Sequence, residues 1–126
     1  MARLNLGTGL RRFIRPETVW SPRRVFASQV RPRRYAPKET VECELPWGSK
    51  ILVRHDEYIG SVIVSWLLYD LSVCEMIARL SSRGELMVDV GANIGQMTSL
   101  LAACAGPKGR VFSFEPHPVI FGQLER

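Results

Sequence analysis

The sequence predicts an α/β fold: the start of a parallel sheet, incomplete, preceded by an antiparallel hairpin and helices. Three observations carry that prediction. Residues 86–116 run as an apolar strand, a glycine-bearing turn, a helical stripe and a second apolar strand, the order of a β-α-β unit. Residues 41–45 alternate apolar and acidic side chains, the period of a half-buried strand. Residues 73–84 place apolar side chains at helical spacing and finish on a glycine, which reads as a helix with its stop signal.

The hairpin comes first. Val41, Cys43 and Leu45 share one face and Glu42 and Glu44 the other; Pro46-Trp47-Gly48 punctuates, and Lys50 to His55 reads as the returning strand. The apolar stretch from Ile59 to Leu71 is broken by Asp70 and is shorter than the roughly 20 residues a bilayer span needs. It reads as core, so no membrane span is expected, and Trp47 and Trp66 are expected to be core or hairpin anchors. Ser72 and Glu75 match a capping box, in which hydroxyl and carboxylate satisfy free N–H groups at a helix start. Val73, Met76, Ile77 and Leu80 then form the stripe of a helix of roughly three turns, and Gly84 is placed to end it in a left-handed conformation.

The formal net charge of +5 suggests a nucleic-acid partner until it is divided along the chain. Residues 1–40 hold ten Lys or Arg against two Glu, a balance of +8, while residues 41–126 hold seven against ten, a balance of −3. Basic character therefore belongs to an Arg- and Pro-rich leader, residues 1–40, expected to be disordered because Pro16, Pro22, Pro32 and Pro37 interrupt any helix or strand. A solvated tail, a mitochondrial presequence and a nucleic-acid arm all compete for this leader. Glu17 and the prolines count against a presequence, and the lack of a folded reader module makes nucleic acid the weaker partner assignment. Cys43, Cys74 and Cys104 stand about thirty residues apart with no C-x-x-C pair, so neither a tetrahedral metal site nor a disulfide framework is indicated. Free, mostly buried thiols fit a reducing, cytoplasmic setting.

The chemistry-bearing residues lie in 86–116. Leu86-Met87-Val88-Asp89-Val90 is short and nearly continuously apolar, as expected of a parallel strand covered on both faces. In the following turn Gly91 can adopt a backbone conformation closed to other residues and lets a ligand approach, while Gly95 allows close packing at the helix start. Free N–H groups and the positive end of the helix dipole are expected to face the space above the turn, a seat for a carboxylate or phosphate. Ile94, Met97, Leu101 and Cys104 form one helical stripe, Gly106-Pro107 stops it, and Gly109 to Phe114 returns as a buried strand ending in Glu115-Pro116. Glu115 lies 24 positions after Gly91, where a carboxylate can accept hydrogen bonds from both hydroxyls of a ribose.

The details of the turn choose among cofactors. A dinucleotide fingerprint wants glycine where Asn93 and Gln96 stand, so a pyrophosphate would meet side chains. Asp89, just before the turn, would repel a pyrophosphate but suit a cationic amino group. S-adenosyl-L-methionine has a sulfonium, an amino group, a carboxylate and a ribose and no phosphate, and suits the turn better. The bland readings stand beside these. The glycines could form a purely structural turn and Glu115 an exposed strand-end acid; His117 reads first as the residue before a helix-starting Pro118; His55 and Cys104 read as structural.

Val88-Asp89-Val90-Gly91-Ala92-Asn93-Ile94-Gly95, then Thr98, Gly109-Arg110-Val111 and Phe114-Glu115-Pro116 resemble the opening of the methyltransferase domain of the FkbM family, within the class I S-adenosylmethionine-dependent methyltransferases. Glu44 to Gly48 is similar to the lead-in of that family, and the match covers roughly residues 41–126. The resemblance implies a Rossmann-like class I sheet. It places Asp89 near the methionine amino group, Gly91, Ala92 and Asn93 along the methionine portion, and Glu115 on the ribose, with Gly95 completing the cofactor-binding turn. It also implies O-methyl transfer to a sugar or secondary-metabolite hydroxyl, a small-molecule or glycan acceptor. Such a fold needs about seven strands, so the chain is expected to be the amino-terminal piece of a methyltransferase domain and inactive alone. Two other readings remain open: a non-catalytic module that pairs with another chain, and a nicotinamide-dependent reductase fragment.

Overall fold

The computed structural model describes residues 39–125; the expectation of a disordered leader falls almost wholly outside them. The described residues form a mixed α/β arrangement with two small sheets. Strands β1 (Thr40–Glu44) and β2 (Lys50–Arg54) make an antiparallel hairpin, and β3 (Leu86–Val90) and β4 (Arg110–Phe114) a parallel pair. Helices α1 (Tyr58–Trp66) and α2 (Leu71–Leu80) lie between the sheets in sequence, α3 (Gln96–Ala105) crosses from β3 to β4, and α4 (Pro118–Leu124) follows β4.

The hairpin forms as its alternation predicts. Val41, Cys43 and Leu45 are buried while Glu42 and Glu44 are exposed, with Thr40 opposite Arg54 and Glu44 opposite Lys50. Gly48, at φ +90°, makes the turn, donating its N–H to Leu45 O at 2.9 Å. Trp47 is the anchor expected of it. It packs against both hydrophobic clusters and donates its indole N–H to Ser99 Oγ on α3 at 3.1 Å, which ties the hairpin to the crossover helix. Trp66 is not an anchor: it is 53% exposed at the last position of α1, where the chain turns away through Leu67 in the left-handed region.

The start of α2 differs from the capping-box expectation. Asp70 is the N-cap, its carboxylate accepting the Val73 N–H at 3.1 Å, so Ser72 falls inside the helix. Glu75 instead pairs with Arg79 one turn later. An Asp caps as well as a Ser, and the chain reverses at Asp70, which itself holds φ +55°. The helix ends at Leu80, four residues before Gly84, which at φ +84° serves the turn into β3 and donates its N–H to Ala105 O.

Two clusters make the core. Val41, Cys43, Leu45, Val53, Ile63 and Ile94 form one, and Leu68, Cys74, Ala78 and Leu100 the other. Along α3 the buried positions are Gln96, Leu100 and Ala105; Met97 and Cys104 pack at the edge of the second cluster, and Leu101 is only half-buried. The stripe is thus rotated from the expected one, because Gln96 has polar partners deep in the fold.

The expected cover on both faces of β3 is not formed by the described residues. Met87, Asp89, Val111 and Ser113 face α3, whereas Leu86, Val88, Val90, Phe112 and Phe114 are exposed. Among the described residues no single helix is long and apolar enough to cross a membrane. Helices α1 and α2 together have the length, but they meet at 74° and bury Ile63, Cys74 and Ala78 inside the protein.

Candidate functional site

Parallel pairing in register sets Asp89 opposite Ser113 and Val90 opposite Phe114, so both strands end together and the turn after β3 lies beside the residues after β4. Gly91 and Ala92 both donate their N–H groups to Phe114 O, at 2.8 and 3.0 Å. Positive φ at Gly91 (+82°), Asn93 (+50°) and Gly95 (+86°) folds the turn tightly enough for that double contact. A Cβ on Gly91 would meet nothing within 4 Å, so its conformation rather than crowding requires glycine; one on Gly95 would stand 2.8 Å from Leu124 Cδ1, the close packing anticipated at the helix start.

The N–H groups of this turn are not free. Asn93 donates to Glu115 Oε2 at 2.9 Å, Ile94 donates to the side-chain oxygen of Asn93 at 2.8 Å, and Gly95 donates to Ala92 O at 2.9 Å. Together with Gly91 and Ala92, five consecutive donors are satisfied within the protein. The turn's own donors therefore differ from the expected free N–H groups: one holds the Glu115 carboxylate and the other four are bonded elsewhere in the protein. Only the first-turn N–H groups of α3 remain without partners inside their helix, as at every helix start.

Glu115 is held at both oxygens. Oε1 accepts the His117 N–H at 2.8 Å while Oε2 accepts that of Asn93. Backbone donors to a carboxylate make short, charge-assisted bonds that fix its orientation. Each oxygen keeps a second acceptor position, because a carboxylate offers about four. His117 itself is the residue before Pro118, which begins α4 at the first helical position, and its side chain makes no cap. That matches its bland reading.

Asp89 reaches away from the turn toward α3, its Oδ2 accepting the Thr98 hydroxyl at 2.5 Å. Ser113 in turn donates to Thr98 Oγ1 at 3.0 Å. The three side chains form a chain of hydrogen bonds running from β3 through α3 to β4, which fixes the helix start over the strand ends. Thr98 belongs to the sequence pattern, whereas Ser113 lies outside it. Its signal was a small polar residue in an otherwise apolar strand, on the face of Asp89.

Gln96 does not face the space above the turn, contrary to the expectation that its side chain would meet a pyrophosphate. It is 4% exposed, and its amide clamps the backbone of Tyr69: Oε1 accepts the Tyr69 N–H and Nε2 donates to Tyr69 O, both at 2.7 Å. The same Nε2 lies 3.4 Å from Cys74 Sγ. Asn93 likewise turns its amide oxygen back onto its neighbour.

A groove of about 450 Å³ opens beside this region, lined by Glu42, Lys50, Ile94, Gly95, Thr98 and Gln123 among others. Glu42 and Lys50, on the neighbouring strands of the hairpin, form an ion pair of 2.7 Å, and the hydrogen bond to Glu42 raises the pKa of the Lys50 ammonium above its ordinary value. Among the described residues no group of three or more His, Cys, Asp or Glu could hold a metal ion. Comparison of the chain with protein-family models, with curated proteins and with solved structures finds no match.

Proposed function

We propose that the carboxylate of Glu115 binds the ribose of S-adenosyl-L-methionine, with the turn from Gly91 to Gly95 beside its methionine portion, in a β-α-β unit of the kind that opens a class I methyltransferase domain. The orientation of Glu115 carries this reading. Two backbone N–H groups present its remaining acceptor positions at the carboxyl ends of β3 and β4, where adjacent ribose hydroxyls can donate one bond to each oxygen. A carboxylate already holding the Asn93 N–H, with the other four donors of the turn bonded elsewhere in the protein, disfavours a pyrophosphate by charge and by competition. In methyl transfer the sulfonium is already activated, so the protein's task is to align the acceptor and accept its proton. The unit proposed here supplies cofactor positioning, and the acceptor is a small-molecule or glycan hydroxyl.

Calorimetric titration of the purified chain with S-adenosyl-L-methionine and with NAD tests the assignment. The first should bind at least about tenfold more tightly, and Glu115→Ala should abolish that preference. Tighter binding of NAD would contradict the reading. A second reading, a non-catalytic module that pairs with another chain, is favoured by one observation: the uncovered apolar face of β3 and β4.

A further inference from the structure

Parallel sheets are buried on both faces, yet β3 and β4 turn three matched rows outward: Leu86 with Arg110, Val88 with Phe112, and Val90 with Phe114. The apolar members are 63%, 53%, 81%, 48% and 56% exposed for Leu86, Val88, Val90, Phe112 and Phe114. Five large side chains at such exposures present roughly 600 Å² in one contiguous patch, at the upper end of what a monomer leaves bare. Arg110 is the charged residue in these rows, at one end, and the rows hold no acid. The basic segment of residues 1–38 therefore finds no complementary charge there.

We infer that this face binds the same face of a second copy of the chain, forming a two-fold dimer through Leu86, Val88, Val90, Phe112 and Phe114. Two such patches bury roughly 1,200 Å², the lower bound for a specific protein interface. The arrangement of the rows selects the axis. A two-fold lying in the interface and running across the strands sets them antiparallel between copies. The Leu86–Arg110 row of each then meets the Val90–Phe114 row of the other. Arg110 lies over the Phe114 ring of the second copy, where the face of an aromatic ring attracts a cation. An axis along the strands would instead set each Arg110 over the aliphatic Leu86 of the other copy, where no ring face attracts the cation. Val88 and Phe112 fall at the centre in the first arrangement, the position where interface energy concentrates. The dimer gives the partner-dependent reading a concrete partner and does not rest on cofactor binding.

Sedimentation equilibrium of the full chain at micromolar concentrations tests the proposal. A reversible species of twice the chain mass is expected, and Phe112→Glu should weaken its association by at least about tenfold, with Leu80→Glu on α2 as a surface control that leaves it unchanged. A monomer, open-ended aggregates, or a dimer unaffected by a folded Phe112→Glu variant would overturn it. Should Phe112→Glu fail to fold by circular dichroism, Val88→Cys decides. Mild oxidation should link two copies of that variant well beyond the level seen with the unsubstituted chain, and no increase would overturn the proposal.

Discussion

Gln96 shows how one side chain joins the hairpin-and-helix half of the protein to the candidate site. Its amide replaces the backbone partners that Tyr69 lacks between α1 and α2, and it does so one residue after the turn. Removing it leaves the part-buried Tyr69 N–H unpaired and its carbonyl with only the weak Cys74 thiol at 3.5 Å, and each group that loses its partner costs about 1–3 kcal/mol. Gln96→Leu should therefore lower stability by about 3 kcal/mol in urea denaturation, whereas a loss below about 1 kcal/mol would show that water replaces the clamp. Cys74, beside it, is fully buried. Burial, reinforced by the charge of Asp70, raises its thiol from 9.0 to about 11. The folded state thus keeps the proton longer than the unfolded chain, so stability falls as pH rises from about 9 to about 11 and this effect is absent at lower pH. Iodoacetamide at pH 8 should modify half-buried Cys104 well before Cys74, and equal rates would contradict the burial. Neither Gln96 nor Ser113 was legible as a structural contact, because a polar residue in an apolar run has the same letter whether it meets ligand, backbone or water.

The elements divide by how local their causes are. β1, β2, β3 and β4 were readable because a period of two, or a short apolar run bounded by glycine, is a local signal. The end of α3 was readable from Gly106, its C-cap at φ +67°. The start of α2 was not, because Ser72 and Glu75 imitate a capping box while Asp70, two positions earlier, wins the role through the reversal of the chain at that point. Glycine has different meanings in different elements. Gly60 lies inside α1, where a Cβ would collide with the backbone carbonyl of Arg54, whereas Gly48 has open space and requires only its φ of +90°. Gly60→Ala should consequently cost more than about 3 kcal/mol, since backbone must shift to admit a methyl group. Gly48→Ala should cost about 1–2 kcal/mol, the penalty of a left-handed residue. Equal effects in thermal or urea unfolding would contradict the packing of α1 against the end of β2. At that same junction Arg54 forms a two-bond fork with Asp56 and a second ion pair with Glu57, partly exposed pairs that add little.

At the scale of the molecule, the parallel pair and α3 bring the ends of β3 and β4 together, and that alone sets Glu115 beside the turn. Sequence spacing located those two features, and hydrogen bonding changed their meaning: the turn holds a protein carboxylate, and the carboxylate is what remains open to a ligand. The bare face of the sheet could not be read beforehand. An apolar strand such as Leu86 to Val90 looks the same whether one face or both are covered, because cover depends on elements elsewhere in the chain or on another chain. The central claim is that adenosyl ribose binds at Glu115. The most direct measurement is the change in amide nuclear magnetic resonance signals of the isotope-labelled chain as S-adenosyl-L-methionine is added. The largest shifts are expected at Asn93 and His117, whose N–H groups already bond the Glu115 carboxylate, and they should vanish in Glu115→Ala. Shifts confined to other residues, or unchanged by that substitution, would contradict the account.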